Sequence, residues 1–331
     1  LEKVFWFFFS KKNILLTFLM PDEFTRIADY FAPLAGVEGL GLLDDAAVFS
    51  APAGRELVLT VDQMLEGVHF LSGDPPDLIA RKLLRRNLSD LAAMAATPFG
   101  YLLTTALPPG TGEAWLAVFS EGLRQDQEEF GIKLFGGDSS LAMSQISLTA
   151  TLIGHVAPGA ALRRNGAKAG DEIWVTGTIG DAALGLKARR GALVDATGFL
   201  TRRSMLPSPR VGLALSGIVN AAIDVSDGLL QDIEHICKAS GVAASIAADM
   251  VPVSPEAAAF GNEMLEARLT DGDDYELVLA VPPGNRQALR DACGNVPVTL
   301  IGAFLNGEPR VAVHNSTGQA ISFSKQGWRH F

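Results

Sequence analysis

The chain has 331 residues, 48% of them hydrophobic and 19% charged, an ordinary globular composition at a length that allows about two domains. Its formal net charge of −10 argues against a nucleic-acid backbone or an anionic membrane as the main partner, and is compatible with a protein that gathers cations. The two cysteines, Cys237 and Cys293, form no CxxC and no metal-like spacing, so reduced thiols in a cytoplasmic protein are expected, with Cys237 on the apolar side of a helix.

Residues 1–19 carry two apolar patches split by Ser10, Lys11, Lys12 and Asn13. Each is too short to span a bilayer and no small-residue cleavage site follows, so the segment reads as a dispensable extension. From Met20, Pro21 and Asp22 open a predicted amphipathic helix with Phe24, Ile27, Ala28 and Phe31 on one face. The stretch "GLGLLDDAAVFS" (39–50) then has the apolar look of a strand, yet carries Asp44 and Asp45 side by side. Successive side chains of a strand face opposite ways, so one carboxylate of such a pair would turn inward and need a cation.

Strand-like runs follow at 56–62, 101–108, 132–138 and 146–156, with helix-like runs at 77–97 and 112–130 between them. Residues 157–171, rich in Gly, Ala and basic residues, read as a linker. A second block alternates strand "EIWVTG", helix "GDAALGLKARR", strand "AAIDVSD", helix "LLQDIEHICKASG" and strand "YELVLAVP". The expected architecture is α/β (α+β), with two mixed domains over 20–157 and 158–331.

Aspartates recur where strands end or turns begin. Asp62 closes "LVLTVD", Asp138 follows two glycines, Asp224 and Asp227 flank Ser226 in "AIDVSDG", and Asp90 sits on an otherwise apolar helix. Singly, Ser226 or Asp227 reads as a helix cap and Asp138 as a turn residue. Together they form a set of hard oxygen donors, of the kind that several Mg²⁺ ions shared with a polyphosphate would use. Zinc would want His or Cys at ligand spacing, and none is present. The GxxxxGK[ST] loop, the strand-to-helix GxGxxG and the HRD/DFG set are all absent. The glycine turns "TGTIGD" and "GGDSS" could offer N–H groups to an anion, though a plain tight turn explains either equally well.

The motifs "DDAAVFS", "LTVDQMLEGVHF", "NLSDLAAMAATP", "FGGDSS", "RRNGAKAGDEIWVTGTIGDAALGL", "AIDVSDGLLQDIEHICKASG", "DGDDYELVLAVP" and "GWRHF" stand in the order and spacing of the thiamine-monophosphate kinase family, which the chain resembles from Met20 to Phe331. The resemblance implies an aminoimidazole-ribonucleotide-synthetase-like fold, with the N-terminal strands of a homodimer joined into an intersubunit β-barrel and nucleotide bound in a cleft beside it. It also implies transfer of the γ-phosphoryl group of ATP to thiamine monophosphate, giving thiamine diphosphate. By motif position, Asp45, Asp62, Asp90, Asp138 and Asp224 would be Mg²⁺ ligands, with Thr60 and Asp227 assisting and Asp62 and Asp138 nearest the chemistry. Gly137, Asp138, Arg164 and Ser226 would contact ATP, and His69, Asp273 and Trp328 would hold the thiamine substrate.

Some positions depart from the family pattern. Leu43 replaces a glycine before the two aspartates, Val61 replaces a hydroxyl residue, and Asp273 is one methylene shorter than the family's Glu. Lys325 stands where an aromatic residue is expected, with Phe323 and Trp328 on either side. A selenophosphate-synthetase reading would want a reactive N-terminal Cys, and a hydrogenase-maturation reading a C-terminal Cys; the chain has neither. Aminoimidazole-ribonucleotide synthetase is the nearest enzymatic rival. A non-catalytic Mg²⁺-nucleotide sensor is the rival from another class, and the intact aspartate set speaks against it.

Overall fold

The computed structural model describes residues 23–325 together with 327 and 328; the expected extension over 1–19, and Pro21 and Asp22 at the first helix, lie outside the described residues. That helix departs from the amphipathic pattern. Glu23–Arg26 is α-helical, but Ile27–Phe31 winds as a π-turn closed by the Ala32 N–H on the Ile27 carbonyl. The wider turn breaks the 3.6-residue phase, so Phe31 is buried whereas Phe24 is 78% exposed.

The first half of the chain builds β1 (Glu56–Leu65), α1 (Pro76–Ala93), β2 (Thr97–Leu107), α2 (Glu113–Phe130), β3 (Lys133–Leu141) and β4 (Ser147–Val156). Its four strands are ordered β1-β4-β2-β3, an open sheet in the single chain. Leu83, Leu84, Leu88 and Leu91 of α1 and Phe119 and Leu123 of α2 share one core with Tyr101, Leu103, Leu148, Ala150 and Leu152 of the sheet. Asp126, buried on α2, ties the two helices together by accepting from Arg81 at 2.7 Å and Arg85 at 2.8 Å. Strand alternation turns Val58, Thr60, Asp62 and Met64 of β1 toward the helices and leaves Leu57, Leu59 and Val61 on the other face.

The predicted helix over 77–97 stops earlier, at Ala93. Ala95 takes a left-handed conformation (φ 54), and the Ala96 and Ala95 N–H groups close on the Leu91 and Ala92 carbonyls. That is a Schellman-type stop, here made without glycine. It frees Thr97 to start β2.

The second half builds β5 (Glu172–Thr176), α3 (Asp181–Arg189), α4 (Phe199–Met205), β6 (Ala221–Asp224), α5 (Leu229–Ser240), β7 (Ala243–Ala247), β8 (Leu277–Val281), β9 (Val298–Leu305), β10 (Val311–His314) and β11 (Ala320–Ile321). The seven strands are ordered β11-β10-β7-β9-β5-β8-β6. Their core includes Ile223, Leu229, Ile233, Ile236 and Val278. Cys237 lies in it, unpaired, with burial pushing its thiol up to about 12, so it is an unreactive core residue as expected. The halves meet along α1, where the Ser89 hydroxyl donates to Asp224 at 2.9 Å. Among the described residues, no helix is long and apolar enough to cross a membrane.

Candidate active site

The face of α1 turned to the second half is polar. Lys82, Arg86 and Asp90 recur at four-residue steps and therefore line one side of the helix. The Thr60 hydroxyl on β1 donates to Asp90 at 2.5 Å, and Arg86 lies 3.6 Å from Asp62. Asp224, at the end of β6, is only 2% exposed. Burial, then the charges of Asp90 and Asp62, push its carboxyl up to about 7 despite the Ser89 bond and the Arg164 charge. Asp90 is likewise raised to about 6, first by burial and then by Asp62, with the Thr60 bond and Arg164 opposing. Thr60, Asp90, Asp224, Arg163 and Arg164 line a cavity of about 470 Å³. Of the two arginines, Arg164 is the one whose charge bears on both carboxylates.

The turn after β6 carries Ser226 and Asp227. Neither caps α5 as a side chain; the N-cap is Gly228. The helix instead reaches back, and Asp232 Oδ2 accepts from the Ser226, Asp227 and Gly228 N–H groups at 3.1, 3.2 and 3.2 Å. Asp227, Asp232 and His235 bring ligand atoms within 4.8 Å of one another, the one such grouping among the described residues. The carboxylates of Asp62, Asp90 and Asp224 therefore share an electrostatic environment without converging on one point.

Asp44 and Asp45 sit elsewhere, and not on a strand. Val37–Leu42 forms a 3₁₀ segment whose Leu40, Gly41 and Leu42 are left-handed (φ 51, 69 and 57), after which the chain bends. Both aspartates are exposed, so the burial problem posed by a strand does not arise. With Phe49, Gly136, Gly137 and Asp138 they border a cavity of about 610 Å³. Asp138 lies within β3 rather than in a turn, paired with Thr104, while its neighbour Ser139 bonds the buried Thr105. Asp138 therefore faces the open side of the sheet and Asp62 the helix side. The two stand on the outermost strands, three spacings of about 4.8 Å apart, or roughly 14 Å. In the single chain the two carboxylates thus stand apart on the sheet. Gly137 has a structural duty of its own, since a Cβ there would sit 1.8 Å from the Leu103 carbonyl oxygen.

The expected substrate holders do come together. His69 lies in the loop after β1, its Nδ1 accepting from the Leu65 N–H at 3.0 Å. Asp273 donates its N–H to the Ser226 carbonyl at 2.9 Å, beside the Asp227 carbonyl that accepts from Trp328 N–H, also at 2.9 Å. Asp273 is left-handed (φ 71), a conformation Asp adopts more readily than most residues, which gives a backbone reason for the shorter acid. Burial works against its charge, but Lys82 and Arg86 and the bonds from Lys82 and Tyr275 hold its carboxyl below the ordinary value. The rest of "DGDDYEL" is structural. Asp274 accepts from the Gly180 and Ala182 N–H groups at 2.7 and 3.2 Å, so a carboxyl of this chain already occupies the "TGTIGD" turn, and Glu276 pairs with Arg203 and Arg210.

Sequence reasoning missed Lys82, Arg86, Asp232 and His235. The signal for the first two was present: basic residues in step with Asp90 on an apolar helix. Arg86 keeps two buried N–H groups, at Nε and Nη1, without a protein partner.

Residues 43–156 match the AIR synthase related protein, N-terminal domain, and residues 168–314 its C-terminal domain. The thiamine-monophosphate kinase of Caulobacter vibrioides is 44% identical over 322 residues, covering 94% of this chain and 91% of the relative. The crystal structure of thiamine-monophosphate kinase from Stenotrophomonas maltophilia K279a, 39% identical, superposes with a TM-score of 0.77 over 85% of this chain and 91% of that one. AaThiL complexed with AMPPCP and TMP, 26% identical, gives a TM-score of 0.75 over 98% of this chain and 100% of that one. With its two matched domains in order and this identity along nearly its whole length, the chain belongs to the thiamine-monophosphate kinase family, within the AIR synthase related proteins.

Proposed function

We propose that this protein transfers the γ-phosphoryl group of ATP directly to the phosphate of thiamine monophosphate, in the cytoplasm, yielding thiamine diphosphate and ADP. The observation that carries the reading is the juxtaposition of the Asp62, Asp90 and Asp224 carboxylates with the Arg164-lined cavity on one side and the linked His69–Asp273 pair on the other. One acceptor oxygen forms a bond to the γ-phosphorus as the bond to the β–γ bridging oxygen breaks. The second pKa of a phosphate monoester is about 6, so the acceptor is already an anion at neutral pH and needs no base. His69 fits that economy. Its Nδ1 is occupied by a backbone N–H, which leaves the proton of the neutral ring on Nε2, a donor rather than a base.

The donor set fits Mg²⁺: all hard oxygens, with the Asp90 and Asp224 carboxyls raised to about 6 and about 7 by burial and by neighbouring carboxylates, a setting that a cation would relieve. Asp62, Asp90, Asp224 and Asp227 would hold it, aided by Thr60, with Asp45 and Asp138 serving from the second cavity. Bound there, Mg²⁺ would supply neutralisation of charge on the phosphate oxygens. Arg164, Ser226 and Gly137 would bind and orient the nucleotide.

A homodimer belongs to this reading. Leu57, Leu59, Val61 and Leu102 are 40, 63, 61 and 40% exposed on the open face of the sheet, an apolar surface that a second copy's sheet would cover as a barrel. The separation of Asp138 from Asp62 in one chain supports a site shared between two.

The test is a coupled ADP-release assay. ADP should appear only when thiamine monophosphate is added, with thiamine diphosphate formed in equal amount; release independent of that acceptor would sink the reading. Within the same assay, Arg164→Ala should raise the KM for ATP by about tenfold or more, because a guanidinium that lines the cavity and bears on both carboxylates is lost. Arg163→Ala should change it by less than about threefold. Equal effects would remove Arg164 from the nucleotide site.

A further inference from the structure

Lys82 is an unusual residue for its surroundings. It stands within α1, between Arg81 and Leu83, and is only 4% exposed. A buried ammonium is costly unless all three of its donors find partners. Here all three do, and each partner comes from a different segment. Nζ donates to the His69 carbonyl at 3.1 Å, to the Ser204 carbonyl at 3.0 Å and to the Asp273 carboxylate at 2.8 Å. His69 follows β1 in the first half of the chain; Ser204 and Asp273 belong to the second.

Two of those three partners are the groups that the kinase reading assigns to the acceptor. The Asp273 carboxylate is fixed from both sides, by Lys82 on Oδ2 and by the Tyr275 hydroxyl on Oδ1 at 3.0 Å. Its backbone is held in turn to the Ser226 carbonyl, and a Cβ on the preceding Gly272 would come 1.8 Å from that oxygen. The loop carrying Asp273 is thus packed directly on the Ser226–Asp227 turn. What remains to be set is its distance from His69, and the Lys82 ammonium bonds both.

We propose that Lys82 is a positioning residue for the acceptor: its ammonium fixes the His69 loop and the Asp273 carboxylate relative to each other across the two halves, so that the phosphorylated acceptor is gripped by both. The inference rests on the kinase reading. Lys82 acts through Asp273 and His69 and takes no part in proton transfer, since its protons are committed to two carbonyls and a carboxylate. A residue that only stapled the halves together would loosen nucleotide and acceptor alike. A positioning residue affects the acceptor selectively.

The experiment compares wild type, Lys82→Met, Asp273→Asn and the double variant by steady-state kinetics in both substrates, with circular dichroism and Tm as fold controls. Lys82→Met should raise the KM for thiamine monophosphate by about tenfold or more while the KM for ATP moves by less than about threefold. In the Asp273→Asn background the same substitution should add no more than about threefold, because the partner through which Lys82 acts is already neutral. Should Lys82→Met fail to fold, Lys82→Gln, which keeps two donors and removes the charge, carries the same comparison. Parallel increases in both KM values, an unchanged KM for the acceptor, or full additivity with Asp273→Asn would each overturn the proposal. Wild type without acceptor-dependent ADP release would overturn the kinase reading and this inference together. An active wild type with an indifferent Lys82 variant overturns this inference alone.

Discussion

Asp62→Asn and Asp138→Asn should each lower kcat by about a thousandfold, the scale of losing a preorganised charge at a phosphoryl-transfer site. Neither side chain is buried, so the Tm of each variant should stay within a few degrees of wild type. The stronger consequence comes from their placement. Asp62 faces the helices from one edge strand and Asp138 faces the open side from the other, so in the proposed homodimer a shared phosphate would draw Asp62 from one chain and Asp138 from the second. Mixing the two inactive variants under subunit exchange should then restore turnover. A mixed dimer carries one site with both substitutions and one with neither. With half of all dimers mixed, recovery approaches about a quarter of wild-type activity. Mixed dimers confirmed by native mass spectrometry but without recovered turnover would place both aspartates in the same subunit's site, or remove one from the site altogether.

Chelation should abolish turnover, and metal should also be visible in stability without any substrate. Asp90 and Asp224 have carboxyls raised to about 6 and about 7, chiefly by burial, with the charge of Asp62 adding to the rise at Asp90 and the charges of Asp90 and Asp62 to that at Asp224. A carboxyl whose folded pKa exceeds its unfolded value binds more protons folded than unfolded in the interval between. Its contribution to stability is therefore present at low pH and lost as the pH climbs through the folded pKa. In EDTA the Tm should fall between pH 5 and pH 8. Mg²⁺ held as proposed would compensate the ionised carboxylates, so its stabilisation should be about 5 °C or more at pH 8 and much smaller at pH 5. Asp224→Asn, which imitates the protonated form, should flatten the fall in EDTA. An Mg²⁺ effect of the same size at both pH values would separate the cation from these two carboxylates.

Much of this site was legible before any fold was known, because the signals were local. Period-two and period-3.6 patterns place α2 and β4 within a residue of where they stand, and the chemistry of the aspartates names their preferred cation class without geometry. Family motifs supplied the assignments of His69, Asp273 and Trp328, and these do gather around the Ser226–Asp227 turn and Lys82. Local reading went wrong where a backbone conformation contradicts the residue type. Leu40 and Leu42 adopt left-handed φ, so an apolar run became a 3₁₀ bend that exposes Asp44 and Asp45; Ala95 does the work of a glycine and cuts a helix short.

What only the tertiary structure decided are the pairings made across long stretches of chain. The ion pair of Lys82 with Asp273 spans 191 residues, and the bond of Ser89 to Asp224 spans 135. No periodicity within a window of a turn or two carries such information, since it depends on how one sheet's helices meet another. Strand order is of the same kind. Composition and motif put Asp62 and Asp138 in one functional set, yet the order β1-β4-β2-β3 sends them to opposite edges and the pleat sends them to opposite faces. The sequence by itself determined which groups this protein brings to its chemistry. The packing of its two halves, and the strand order within the first, decided which of them one chain can place side by side.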